Sequence, residues 1–229
     1  MKTIIITGAN GNLGNSVTNV FLASGYQVIG TVISDADKLA MHKHSNLDVR
    51  VVNLTDNNAT NLFVKEIINL YKKIDGLLML VGGFAMGDIE NTVVTDISKM
   101  ISLNFETAYN IAQPLYSHFK ENNYGRFVFI GARPAIEPQA GKSMIAYSLS
   151  KSLLFKFAEY LNAEAKEMNL VSTVVVPSIL DTPANRINMP DANPDNWVNI
   201  QQLSELLEFI FSPKADQLRE PVWKVYNNS

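Results

Sequence analysis

Short apolar runs alternate along the chain with longer stretches whose apolar positions recur at helical spacing. Thr3 to Thr7 is the first run and predicts a strand, with an amphipathic helix from Asn15 to Ser24 behind it. Further strands are predicted at Gln27 to Ile33, Leu47 to Val52, Gly76 to Val81, Arg126 to Ile130, Val171 to Val176 and Pro221 to Tyr226. Helices are predicted from about Ala59 to Lys73, Asp96 to Asn122, Ala146 to Met168 and Leu203 to Phe211. Strands that alternate with helices of this length form βαβ units around a parallel sheet. Right-handed crossovers then place helices on both faces and a ligand at the C-terminal strand ends. The pattern predicts one α/β domain over residues 1–229 with a doubly wound, seven-stranded parallel sheet. The loosest stretch, Asp181 to Asn199, is rich in Pro, Asn and Asp and follows the sixth strand on the ligand side. It reads as a substrate-covering loop, which Trp197 either covers the site from or merely anchors. Phe105, Tyr109, Leu115 and Phe119, like Leu154, Phe157, Leu161 and Ala165, recur at helical spacing and read as core or subunit-interface positions.

Composition narrows the class. With 47% apolar and 18% charged residues, the chain reads as a soluble globular protein. A net charge of −3 without a basic run gives no reason to expect a nucleic-acid or membrane partner. The absence of cysteine excludes disulfides, thiolate metal sites and Cys nucleophiles. No apolar stretch reaches the roughly 18 residues of a membrane span. The chain enters its first strand without an apolar leader, so a cytoplasmic location is expected. His42 and His44 are two apart in a polar stretch and His118 stands alone, so no metal site is expected.

Two constellations carry chemistry. Between the first strand and its helix lies a loop with Gly8, Gly11 and Gly14. Glycine permits a sharp turn and lets a pyrophosphate approach the main chain, while the helix N-terminus offers free N–H groups and partial positive charge. The strand–loop–helix context gives the spacing its meaning. Tyr147 and Lys151, four apart at the start of the helix after strand five, share one helix face. A phenol titrates at about 10, and a nearby ammonium is expected to pull that value down. The pair would then serve as proton donor to a carbonyl or imine that accepts hydride.

These residues resemble the short-chain dehydrogenase/reductase family along essentially the whole chain. Four places carry the resemblance: Thr7-Gly8-Ala9-Asn10-Gly11-Asn12-Leu13-Gly14; Asn104 within Ser102-Leu103-Asn104-Phe105; Tyr147-x-x-x-Lys151; and Pro177-Ser178-Ile179-Leu180-Asp181-Thr182. The resemblance implies a Rossmann fold, an NAD(P)(H) cofactor, a small-molecule carbonyl or imine substrate and a homodimer or homotetramer. It assigns Tyr147 as general acid/base, Lys151 to the nicotinamide ribose and the tuning of Tyr147, and Asn104 to a water behind Lys151. Pro177, Leu180 and Thr182 would contact the carboxamide. Gly8, Asn10, Gly11, Asn12, Leu13, Gly14, Asn53, Leu54, Val81, Gly82 and Gly83 would line the rest of the dinucleotide site.

The departures are informative. The family's catalytic Ser after strand five matches Ala132, which has no hydroxyl, and Ser143 is the available substitute. After strand four the usual Asn-Asn-Ala-Gly is Met79-Leu80-Val81-Gly82, followed by Gly83. The Ala, the Val-Gly-Gly and the run from Leu180 to Ala192 resemble the dihydropteridine reductase branch. A quinonoid dihydropterin is an activated imine system, so it tolerates a missing Ser. Asn104 departs from that branch. Cofactor choice stays open between NAD and NADP: Val32 replaces the acid that would bond a ribose 2′-hydroxyl, Ser34 could bond a 2′-phosphate, and Asp35 could turn to the ribose. The alternatives are a ketone or 3-oxoacyl reductase using Ser143, or a dinucleotide-sensing regulator without turnover.

Overall fold

The computed structural model describes the whole chain, Met1–Ser229. Its strands are β1 (Thr3–Thr7), β2 (Gln27–Val32), β3 (Leu47–Val51), β4 (Gly76–Met79), β5 (Tyr124–Ile130), β6 (Asn169–Pro177) and β7 (Val222–Val225). All pair in parallel in the order β3-β2-β1-β4-β5-β6-β7. The order reverses between β1 and β4, where a crevice opens outside the carboxyl ends of the strands. The helices are α1 (Asn12–Ala23), α2 (Asp35–Ala40), α3 (Asn57–Tyr71), α4 (Val94–Ile101), α5 (Thr107–Glu121), α6 (Pro138–Gly141), α7 (Ile145–Glu164), α8 (Pro183–Asn188) and α9 (Ile200–Phe211).

Side chains of a strand alternate between faces, and the core divides accordingly. Ile5, Ile29, Leu77, Phe127 and Val174 pack with Ile67 of α3, Ile111 and Leu115 of α5 and Leu154 of α7. Ile4, Val28, Leu78, Val128 and Val175 pack on the other face with Val17 and Phe21 of α1 and Leu207 and Phe211 of α9. Each such side chain contributes about 1.5–3 kcal/mol by leaving water. Of the positions read as core or interface, Leu115 and Phe119 are fully buried. Phe105, Tyr109 and Phe157 instead form an aromatic cluster with centroids 5.2 to 6.0 Å apart, where Tyr109 remains 44% exposed.

Several boundaries differ from the expected ones. α1 begins at Asn12, because Asn15 N–H already donates to Gly11 O, so Gly14 lies in its first turn. The single helix expected from Asp96 to Asn122 is α4 and α5 joined by a π-helical turn, Ser102–Glu106. Apolar spacing continues through that turn, so periodicity does not reveal it. The short helices α2, α6 and α8 were not expected, being six, four and six residues long. In the loop from Asp181 to Asn199, Trp197 is buried and anchors the segment. Asn227 Nδ2 donates to the carbonyls of Asp195 (3.0 Å) and Trp197 (2.8 Å), holding that end to the chain after β7. No helix is long and apolar enough to cross a membrane.

Candidate active site

The glycine loop leaves β1 at the crevice. Gly8 has φ +65°, a left-handed conformation suited to glycine, and a Cβ there would lie 3.3 Å from Val81 Cγ2. A Cβ on Gly14 would lie 2.1 Å from Gly8 O and 2.9 Å from the Ala9 carbonyl carbon. The loop is therefore folded against its own helix, and the first turn of α1 has Gly11 as N-cap without a side-chain cap. Its N–H groups remain available to an anion. This bare-backbone cradle fits a pyrophosphate. Asn12 is exposed and Leu13 half-buried at the head of the helix.

Beyond β4 and β5 the expected catalytic residues converge. Asn104 is 1% exposed and lies in the π-helical turn, a feature that often marks functional positions. Its Oδ1 accepts from Gly83 N–H at 2.7 Å, while its Nδ2 donates to Gly83 O (3.2 Å) and Ser150 Oγ (2.9 Å). Lys151 is 7% exposed, and its Nζ donates to Ile130 O at 2.8 Å. A Cβ on Gly82 would lie 2.6 Å from Asn104 Oδ1 and 3.3 Å from Lys151 Nζ, so both side chains close on the bare backbone of Gly82. A Cβ on Gly83 would lie 2.4 Å from Leu103. Tyr147 stands one turn before Lys151 on α7, half-buried, with the Phe84 ring edge-on at 5.1 Å between centroids. Burial alone pushes the Tyr147 phenol up to about 12 and the Lys151 ammonium down to about 8. The expected lowering of the phenol by its neighbour is thus not found in the protein's own charges: here desolvation is the dominant influence.

Ala132 follows β5 and is 4% exposed, with no hydroxyl to offer. Ser143 is half-buried just before α7, and its hydroxyl makes no hydrogen bond within the protein. Its carbonyl accepts from Gly87 N–H (2.8 Å), and Gly87 O accepts from Ile145 N–H (2.8 Å). This bridge ties the segment after β4 to the start of α7. Gly87, at φ +152°, would place a Cβ 2.8 Å from Thr92 Oγ1, so the bridge depends on a glycine that sequence reasoning passed over. Pro177, the last residue of β6, and Thr182 beyond it are buried, and Leu180 is half-buried. Thr182 Oγ1 accepts from Asn185 N–H (3.0 Å) as N-cap of α8. Its hydroxyl proton is left to donate to a ligand.

At the carboxyl end of β2, Ser34 and Asp37 form a local network. Ser34 caps α2, accepting from Asp37 N–H (3.2 Å) and donating to Asp37 Oδ2 (2.6 Å). Its hydroxyl proton serves Asp37 in this arrangement. Asp37 Oδ1 accepts from Asn10 Nδ2 at 2.9 Å, which links α2 to the glycine loop. Asp35 is exposed, and Asp37 is the half-buried acid beside the loop. Sequence reasoning missed it, although Ser34 followed three residues later by an acid resembles a capping-box signal. Asn53 Oδ1 accepts from Thr55 N–H (3.1 Å) and Oγ1 (2.8 Å), forming a turn beside buried Leu54.

Comparison with known proteins agrees with this geometry. The chain is 27% identical over 189 residues to acetoacetyl-CoA reductase of Acinetobacter sp. (strain RA3849), spanning 80% of this chain and 75% of that protein. It is 26% identical over 223 residues to dihydropteridine reductase of Dictyostelium discoideum, spanning 94% and 89%. The fold superposes on ElxO with NADP bound at a TM-score of 0.89, with 19% identity over 98% of this chain and 96% of that one. The sequence model described as short chain dehydrogenase matches residues 2–193. Sheet order, glycine cradle and the Asn104–Tyr147–Lys151 cluster thus meet in a chain that belongs to the short-chain dehydrogenase family of NAD(P)-dependent oxidoreductases.

Proposed function

We propose that the protein is an NAD(H)-preferring reductase acting on a flat, activated imine or carbonyl of the dihydropteridine type. The observation that carries this reading is the Phe84 ring standing edge-on to Tyr147, opposite a β5 end that offers Ala132 and no hydroxyl. An aromatic wall favours a planar ring, and an activated imine needs no second hydrogen bond at its reacting atom. The full-length similarity to a dihydropteridine reductase supports the same choice.

In this reading the glycine loop and the N-terminus of α1 hold the pyrophosphate, Asn53 and Leu54 flank the adenine, and Lys151 holds the nicotinamide ribose. Val81, Gly82, Gly83, Pro177, Leu180 and Thr182 shape the nicotinamide pocket. The dinucleotide, when bound, supplies the hydride. Tyr147, fully protonated at neutral pH because burial holds its pKa near 12, donates the proton to the reduced substrate. The loop from Asp181 to Asn199 covers the substrate, and the Phe105–Tyr109–Phe157 face packs against a second copy in a homodimer or homotetramer.

The test follows nicotinamide absorbance with quinonoid dihydropterin and NADH. Rapid oxidation is expected; no oxidation despite dinucleotide binding would overturn the substrate reading and favour 3-oxoacyl thioesters, with Ser143 as hydrogen-bond donor. Asp37 makes a separate prediction about the cofactor. Its carboxylate suits a ribose 2′-hydroxyl and repels a 2′-phosphate, an effect of about 1 kcal/mol or more at contact distance. Asp37→Asn is expected to shift the ratio of kcat/KM for NADPH over NADH upward by roughly tenfold. An unchanged ratio would remove Asp37 from cofactor choice.

A further inference from the structure

We propose that Gly87 is a positioning residue for proton transfer, its backbone seating the first turn of α7 and so fixing the place of the Tyr147 phenol. The inference rests on the proposed role of Tyr147 as proton donor and adds a residue to which no role was assigned. The first N–H groups of a helix have no partner within it, and Met144 at the head of α7 supplies no side-chain cap. The first intrahelical bond there is Ser148 N–H to Met144 O at 2.9 Å. Ile145 N–H therefore takes an acceptor from outside the helix, Gly87 O at 2.8 Å, while Gly87 N–H donates to Ser143 O at 2.8 Å. The two bonds of this one residue flank Met144 and fasten the segment after β4 to the head of α7. The same segment meets that turn again three residues earlier, where the Phe84 ring stands 5.1 Å from the Tyr147 ring. Two contacts from one short segment thus hold the turn that carries Tyr147.

The conformation of Gly87 makes the residue hard to replace. Its φ of +152° is one that residues with a side chain rarely adopt, and a Cβ would lie 2.8 Å from Thr92 Oγ1. The Thr92 backbone is held in a turn: its N–H donates to Asp88 O (3.0 Å), and Asn91 N–H donates to Asp88 Oδ1 (3.0 Å). The rest of the site is held by other partners. Leu80 and Val81 N–H donate to Thr7 Oγ1 (3.0 and 3.3 Å), Gly83 N–H donates to Asn104 Oδ1 (2.7 Å), and Lys151 Nζ donates to Ile130 O (2.8 Å). A disturbance at Gly87 therefore reaches the turn of Tyr147 and spares the backbone and the lysine assigned to the dinucleotide.

The test compares wild type, Gly87→Ala, Thr92→Ala and the double variant Gly87→Ala/Thr92→Ala. The readouts are kcat with NADH and quinonoid dihydropterin (or the 3-oxoacyl thioester that replaces it), the Kd for NADH, the Tm, and hydrogen exchange of the Ile145 amide by NMR. Gly87→Ala is expected to lower kcat by at least about tenfold, since a misplacement of about 1 Å can cost about 100-fold, with the Kd for NADH within about twofold of wild type. Thr92→Ala should keep wild-type turnover, and the double variant, which gives the new methyl room, should recover part of the loss. The Ile145 amide is expected to be protected in wild type and to lose about tenfold of that protection in Gly87→Ala. Wild-type kcat in Gly87→Ala, or a loss matched by equally weakened NADH binding, would overturn the proposal. The double variant carries the same comparison where Gly87→Ala by itself fails to fold, and an Ile145 amide that exchanges freely in wild type would overturn the bridge without any variant. Failure of the catalytic reading is distinct. It shows as an active Tyr147→Phe enzyme, whereas failure of the positioning role shows as an inactive Tyr147→Phe beside a fully active Gly87→Ala.

Discussion

Tyr147→Phe lowers reductive turnover by about 10³-fold while dinucleotide affinity stays within about twofold, within the range for loss of a general acid. The substitution removes the phenolic proton and keeps the ring, so the edge-on contact with Phe84 persists. Equilibrium dinucleotide binding and single-turnover oxidation of NADH separate the two effects. Equal loss of binding and turnover would place Tyr147 in cofactor binding and not in proton transfer. The pH dependence follows from the same burial. In the proposed mechanism, reduction requires a protonated phenol and a charged Lys151. The phenol keeps its proton to about 12, but Lys151 loses its own near 8. Turnover is therefore expected to fall as pH rises through about 8, and a steady-state pH profile of kcat checks it.

Gly14→Ala is expected to destabilise the fold by about 3 kcal/mol, at the upper end of the usual cost of overpacking, and to abolish dinucleotide binding. The added methyl would lie 2.1 Å from Gly8 O and about equally close to two Ala9 backbone atoms, at 2.9 and 3.0 Å. No flexible side chain can give way, so either α1 leaves its seat or the loop opens. Gly11→Ala is the control. Its nearest neighbour would be 3.4 Å away, and its φ of −69° suits any residue. Thermal unfolding and dinucleotide titration of the two variants should separate clearly. Equal tolerance would mean that the loop is not the rigid cradle described above.

Much of this was legible along the chain because it rests on local periodicity. A β-branched run, a glycine turn and an amphipathic stretch each follow from neighbours a few residues apart, and their alternation limits the fold to a doubly wound parallel sheet. Tyr147 and Lys151 were likewise readable, since a spacing of four on a helix guarantees a shared face. Other features depended on residues far apart in sequence. Glycine appears three times in the first loop, yet only the packed structure shows that Gly8 sits at φ +65°, that Gly14 has no room beside Gly8 O, and that Gly11 is replaceable. Asp37 is tied to the glycine loop because Asn10, twenty-seven residues away, reaches its carboxylate. The Tyr147 phenol rises instead of falling because burial is a property of the packed molecule that no pair spacing encodes. Local order was written in the chain's period; the choice among glycines, acids and protonation states was decided by which distant groups the packed sheet brought within a few ångströms.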